Sequence, residues 1–181
     1  QEINELKKNE IFPKTDVILI SHFYSFEDKR IEGVKKFIKS LKKEKKIILT
    51  SQSNIYNDAF VYKKFNSLTI FDHYLFKKNN EFINIDENLT KEDKKKINHL
   101  YYQNRKLSYI KDINKSLKEI SEKNNIKFLN KEDFLCDVKN SACFGITDKY
   151  QKVYIDSMHY TLEGAKFLGE KIYNIGWFKI N

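Results

Sequence analysis

Arginine is almost missing from this chain. Of its 34 basic residues only Arg30 and Arg105 are arginines, and the formal charge of +9 is carried by lysine. Nucleic-acid readers usually spend arginine on phosphate and guanine contacts. Lysines scattered among many Asn and Ile describe a solvated surface instead, so no nucleic-acid partner is expected. The residual attraction such a charge offers is toward an acidic polymer or an anionic membrane surface. No run of about 18 apolar residues occurs, so no segment reads as membrane-spanning, and the N-terminus has no secretory apolar core. The chain begins at Gln1, which fits a processed or excised piece. Proline occurs once and glycine five times; no linker or internal repeat divides the sequence. One domain over residues 1–181 is expected, long enough to bury a core without staples. Only two cysteines are present, Cys136 and Cys143 in LCDVKNSAC. A zinc site would want more ligands and a paired CxxC, so no metal is expected. A disulfide closing a small loop fits better and implies an oxidising compartment; two buried free thiols are the plainer alternative.

What is present is an alternation of buried strands and amphipathic helices. Residues 2–10 read as a short polar helix that Pro13 ends. DVILIS (16–21) and KIILT (46–50) are continuous apolar runs, as in strands buried on both faces. Between them Ile31, Val34, Phe37, Ile38 and Leu41 share one helical face and lysines cover the other. This is a βαβ unit. A polar loop, SQSNIYND, follows. Residues 59–78 are aromatic-rich and fit no single period. Thr90 and Asp93 can form a capping box for a long helix whose stripe is Ile97, Leu100, Tyr101, Leu107, Ile110, Ile113, Leu117 and Ile120. IKFLN (126–130) returns to the sheet. KVYID (152–156) is a final strand or extended segment. The last helix starts near Thr161 and should bury Leu162, Ala165, Leu168, Ile172 and Ile175. The pattern predicts a three-layer α/β/α sandwich with a mostly parallel sheet.

In open α/β sheets ligands bind beyond the carboxyl ends of the strands. Three polar clusters fall there: Ser21 with His22, Ser51 through Asn57, and Asp156 through His159. The last has a clear chemical use. A histidine near neutral pH can take a proton from a serine hydroxyl and return it. It does so best when its other ring nitrogen donates to a carboxylate. Asp-x-x-His alone is a weak signal, because a chain with four histidines makes such spacings by chance.

The block YIDSMHYTLEGAKFL places that pair before Thr161 and a helix containing Gly164 and Ala165. It resembles the last block of the SGNH hydrolase superfamily. Taken with DVILISHF, IILT and LCDVKNSAC ahead of it, the order over residues 10–175 resembles one branch: the extracytoplasmic SGNH domain fused to, or partnered with, membrane acyltransferase family 3 proteins. The resemblance implies an SGNH or flavodoxin-like fold and O-acyl transfer, commonly acetyl, to a bacterial cell-envelope glycan, or a related esterase activity. It implies Asp156 and His159 as two triad members, a cysteine pair at Cys136 and Cys143, and no cofactor. It further implies a periplasmic location, tethered through a segment outside this chain, with an acyl donor, an envelope glycan and a membrane acyltransferase as partners.

The family's nucleophile lies in a Gly-Asp-Ser block on an early strand, and no such tripeptide occurs here. Ser21 in ILISHF is a degenerate candidate, but that segment matches a later strand of the family better. The expectation is therefore a chain that begins after the nucleophile strand, as the C-terminal part of a larger protein or domain; a serine-less binding module is the alternative. Asn54 and Asn57 are candidate amide donors to an oxyanion, though a loop asparagine more often caps a turn. His22 could line the pocket. His73 and His99 lack acid or thiol partners in the sequence and read as structural or exposed.

Overall fold

The computed structural model describes residues 8–21, 30–41, 43–53, 69–79, 89–105, 107–156 and 159–179. They fall into two compact units. The first comprises residues 1–53 and 108–131, the second residues 54–107 and 132–181. The expected mixed α/β class with a parallel sheet is the one observed.

The first unit holds three parallel strands, β1 (Val17–Ile20), β2 (Lys46–Thr50) and β3 (Lys127–Leu129), in that spatial order. Ile18 pairs with Ile47, and Leu49 with Phe128. Helix α1 (Arg30–Leu41) links β1 to β2. Its buried Ile31, Val34, Ile38 and Leu41 form one core with Ile47 and Leu49 of β2. Ile113, Leu117 and Ile120 of α4 (Leu107–Asn124) join that core, so both helices cover the same sheet face. Full burial holds for β2, where Ile47, Ile48 and Leu49 are each 2% exposed or less. It fails for β1, whose Leu19 is 43% exposed. A strand between two neighbours is shielded by both, and β1 ends the described sheet. The polar helix read over residues 2–10 lies mostly outside the described residues; Lys8 is helical, and Pro13 sits beyond it inside a 3-10 turn, Phe12–Lys14, where a missing N–H near the start costs no hydrogen bond.

The second unit contains α2 (Ile70–Asn79), which resolves part of the aromatic-rich stretch into a helix, and α3 (Lys91–Gln103). The Thr90–Asp93 capping box forms as expected. The long helix read from Thr90 onward is two helices. α3 ends at its cap, Asn104, and α4 starts at Leu107. At the break Arg105 is buried, stacks on Tyr102 at 3.7 Å and pairs with Glu132. A one-turn helix α5 (Glu132–Leu135) leads into the hairpin β4 (Cys136–Asp137) and β5 (Ala142–Cys143). Cys136 and Cys143 face each other across it and are joined by a disulfide.

Residues 152–156 are not a strand of the parallel sheet. They make isolated antiparallel bridges, Lys152 with Ile146 and Tyr154 with Tyr160. Helix α6 (Leu162–Asn174) follows, capped by Thr161. Its buried side is only partly the expected one: Leu168 is buried and Ile172 half-buried as expected, but Gly164 and Phe167 face inward, while Ala165 is exposed and Leu162 is 72% and Ile175 51% exposed. The reason is close approach. A Cβ on Gly164 would lie 2.2 Å from the Val153 carbonyl oxygen, so the helix docks through its glycine onto the chain just before Asp156.

Candidate functional site: the Asp156–His159 turn

The pair of interest sits at the tip of a small hairpin. Thr161 N–H donates to Val153 O at 2.9 Å and Ile155 N–H to His159 O at 2.8 Å, closing the turn that contains Asp156 and His159. Tyr154 and Tyr160 form the bridge beneath it, with ring centroids 5.2 Å apart. Tyr154 also stacks on Tyr101 at 5.3 Å. The hairpin is tied to α6 through one hydroxyl. Thr161 Oγ1 donates to Lys152 O at 2.6 Å and accepts the Gly164 N–H at 2.9 Å. At the base of the hairpin Lys152 pairs with Asp72 at 2.6 Å. Sequence reasoning treated Thr161 only as the start of a helix; the signal of its second role is Thr-x-x-Gly directly after the histidine.

Within the turn Asp156 does two things. Its Oδ1 accepts the backbone N–H of His159 at 2.8 Å, and its Oδ2 lies 2.7 Å from the ring Nδ1. An ionised carboxylate can only accept, so Nδ1 is the donor and carries the proton. The neutral ring then holds its lone pair on Nε2. The His159 side chain is 72% exposed and that of Asp156 43%, so the ring is held from one side and open on the other. This arrangement can accept a proton at Nε2 and stabilise the resulting imidazolium.

The remaining residues singled out from the sequence divide three ways. Ser21 follows β1 in the first unit and is exposed. Ser51 is fully buried, donates its N–H to Leu129 O, and accepts the Lys131 N–H on its Oγ at 2.7 Å, which is a structural role. Ser53 is half-buried. His99 is exposed, with Nδ1 3.0 Å from Ser141 O. His22, Asn54, Asn57 and the side chain of His73 lie outside the described residues. Among the described residues no group of three or more His, Cys, Asp or Glu is placed to hold a metal. No described helix is long and apolar enough to cross a membrane.

Large shifts at Asp93 and Tyr74 have structural causes. Burial alone would raise the Asp93 carboxyl, but hydrogen bonds from Lys78, Tyr74 and Thr90 outweigh it and hold Asp93 well below the usual carboxylate range. The Tyr74 hydroxyl, 2.5 Å from that carboxylate, is pushed up by its own burial and by the Asp93 charge. Every Asp93 contact is spent on the α2–α3 junction, which makes it a packing element. Lys131, two residues beyond β3, is lowered to about 8 by burial.

The parallel sheet with its covering helices is the α/β arrangement of an SGNH-like domain. Residues 1–174 match the SGNH domain (fused to AT3 domains), and the chain belongs to that family. Among solved structures it is similar to the periplasmic domain of a lipopolysaccharide acetyltransferase from Salmonella ser. Paratyphi A. The TM-score is 0.59 at 18% identity, over 96% of this chain and 59% of the other. At that identity the likeness speaks for the fold, and the chain spans only 59% of its structural neighbour. No curated protein sequence matches this one.

Proposed function

We propose that this domain serves O-acyl transfer, or the related ester hydrolysis, on a bacterial cell-envelope glycan. The observation that carries the reading is the Asp156–His159 geometry: a carboxylate on Nδ1 at 2.7 Å, with the imidazole side chain largely exposed. In the complete site a serine attacks the acyl donor, His159 takes its proton and returns it to the leaving group, and Asp156 orients the ring. A sugar hydroxyl then accepts the acyl group to give transfer, or water accepts it to give hydrolysis. With no Gly-Asp-Ser block among these 181 residues, the serine is supplied from outside this stretch. The partner is a membrane acyltransferase, fused or separate, in keeping with the family's fusion to AT3 domains. The location is extracytoplasmic, in keeping with the disulfide and with the periplasmic neighbour.

The experiment is an acetyl-ester hydrolysis and transfer assay on the full-length gene product. His159→Ala should cost about 10²-fold or more, the usual weight of a general base. Activity that survives the substitution removes the catalytic role. The lack of a Gly-Asp-Ser block also favours a second reading, a catalytically inactive SGNH-like module that binds glycan or an acyltransferase. That reading predicts no turnover by the unsubstituted protein.

A further inference from the structure

The chain's charge is unevenly placed. The first unit holds eighteen Lys and Arg against eleven Asp and Glu, which is +7 of the chain's +9. A groove of about 430 Å³ runs along α1 and α4 in that unit. Ile31 and Ile120 form its floor, and Lys35 and Lys39 of α1 stand opposite Lys123 of α4. Lys35 is paired with Glu32. Among the described residues Lys39 and Lys123 have no acid partner, and Glu119 is the remaining carboxylate of the lining. The lining thus carries three lysines against two carboxylates, a net +1, within a unit of +7.

We propose that this groove binds a linear, carboxylate-bearing polysaccharide. Separate exposed lysines each hold a single anion weakly, so a ligand must present repeated charges to gain affinity from them. The ammonium is a point charge suited to isolated carboxylates. A sugar ring offers an apolar C–H face to the methylene stems of the lining lysines while its carboxylates reach their ammonium groups. Single-stranded nucleic acid fits less well, because it is held by aromatic stacking and arginine and the lining contains neither. The binding requires neither Asp156 nor His159, so it stands or falls apart from the acyl-transfer reading.

The test is titration of the chain with alginate oligomers, a linear polyuronate, alongside neutral dextran and oligo-dT. The expected result is alginate binding that weakens as salt rises from about 50 to 200 mM and no dextran binding. Lys39→Glu with Lys123→Glu should weaken alginate at least about tenfold. Lys95→Glu with Lys96→Glu, the same charge change on exposed positions of α3, should cost less than about twofold, and His159→Ala nothing. Circular dichroism checks each variant, and Lys39→Gln with Lys123→Gln replaces the reversal if it unfolds. Equal losses in the groove and control variants, tighter binding of oligo-dT, or no alginate binding would each overturn the proposal.

Discussion

Asp156 is a tautomer selector before it is anything else. As the acceptor for both the backbone N–H and the ring Nδ1 of His159, it leaves the imidazole one way to be neutral. Asp156→Asn keeps the size but can present an amide N–H to Nδ1, which favours the proton on Nε2 instead. Nitrogen chemical shifts of His159 should then report the Nε2–H form, where the unsubstituted protein reports Nδ1–H. Turnover, where the full-length protein shows it, should fall by about 10³–10⁴, the loss seen when a triad carboxylate is replaced this way. Unchanged shifts would mean that the turn does not govern the ring.

Asp93 makes a different kind of prediction. Its folded pKa is depressed by Lys78, Tyr74 and Thr90 against the pull of burial. The stability it contributes is therefore present above the unfolded carboxylate pKa of about 4 and is lost as pH falls through and below that value. Urea unfolding at pH 6 and near pH 2.5 should show the unsubstituted protein losing about 2 kcal/mol more than Asp93→Asn. Parallel losses in the two proteins would place the acid sensitivity elsewhere.

At the scale of elements, local pattern was legible where it coincided with packing. β1 and the core of β2 are continuous apolar runs, IKFLN returned to the sheet as β3, and Thr90–Asp93 is a capping box in sequence and in space. The interruption between α3 and α4 had a signal that periodicity obscured. The stripe has a gap between Tyr101 and Leu107, and the positions one turn beyond Tyr101, Asn104 and Arg105, are polar. The buried side of α6 was not legible because the residue that fixes it has no side chain. Gly164 sets the docking angle by letting the helix touch the Val153 backbone, so counting apolar residues placed Leu168 correctly but turned the face toward Leu162 and Ala165 and away from Phe167. The Asp-x-x-His pair was visible in sequence, but its meaning depended on a hairpin built from single backbone hydrogen bonds, which leave no hydropathy trace. Gly164→Ala should cost about 1–3 kcal/mol, since its Cβ would meet backbone that cannot move aside. Gly169→Ala on the same helix, with nothing within 4 Å of the added carbon, should instead gain about 0.5–1 kcal/mol. Thermal or urea unfolding of the two variants separates these outcomes. Equal effects would show that α6 does not rely on the close contact.

Over the whole molecule the two units should answer salt in opposite directions. The first carries +7, with lysines crowding α1 and α4, and its described ion pairs include the exposed helix pairs Lys35–Glu32 and Lys118–Glu122. Exposed pairs of this kind contribute little, so self-repulsion is its larger electrostatic term, and screening relieves it. The second unit is nearly balanced, with sixteen basic and fourteen acidic side chains. It depends on better-shielded attractions: Lys78 with Asp93, Lys152 with Asp72, and the buried Arg105 with Glu132. Screening takes something from those and offers little in return. Hydrogen exchange in about 20 and 300 mM sodium chloride should therefore show protection rising in β1, β2 and β3 by about 0.5–1 kcal/mol, with α3 and α6 flat or slightly lower. Chloride is the appropriate anion, because sulfate would strengthen apolar burial everywhere and mask the contrast. A uniform rise across both units would indicate that the lysine excess exerts no repulsion of its own and that its charges are already neutralised.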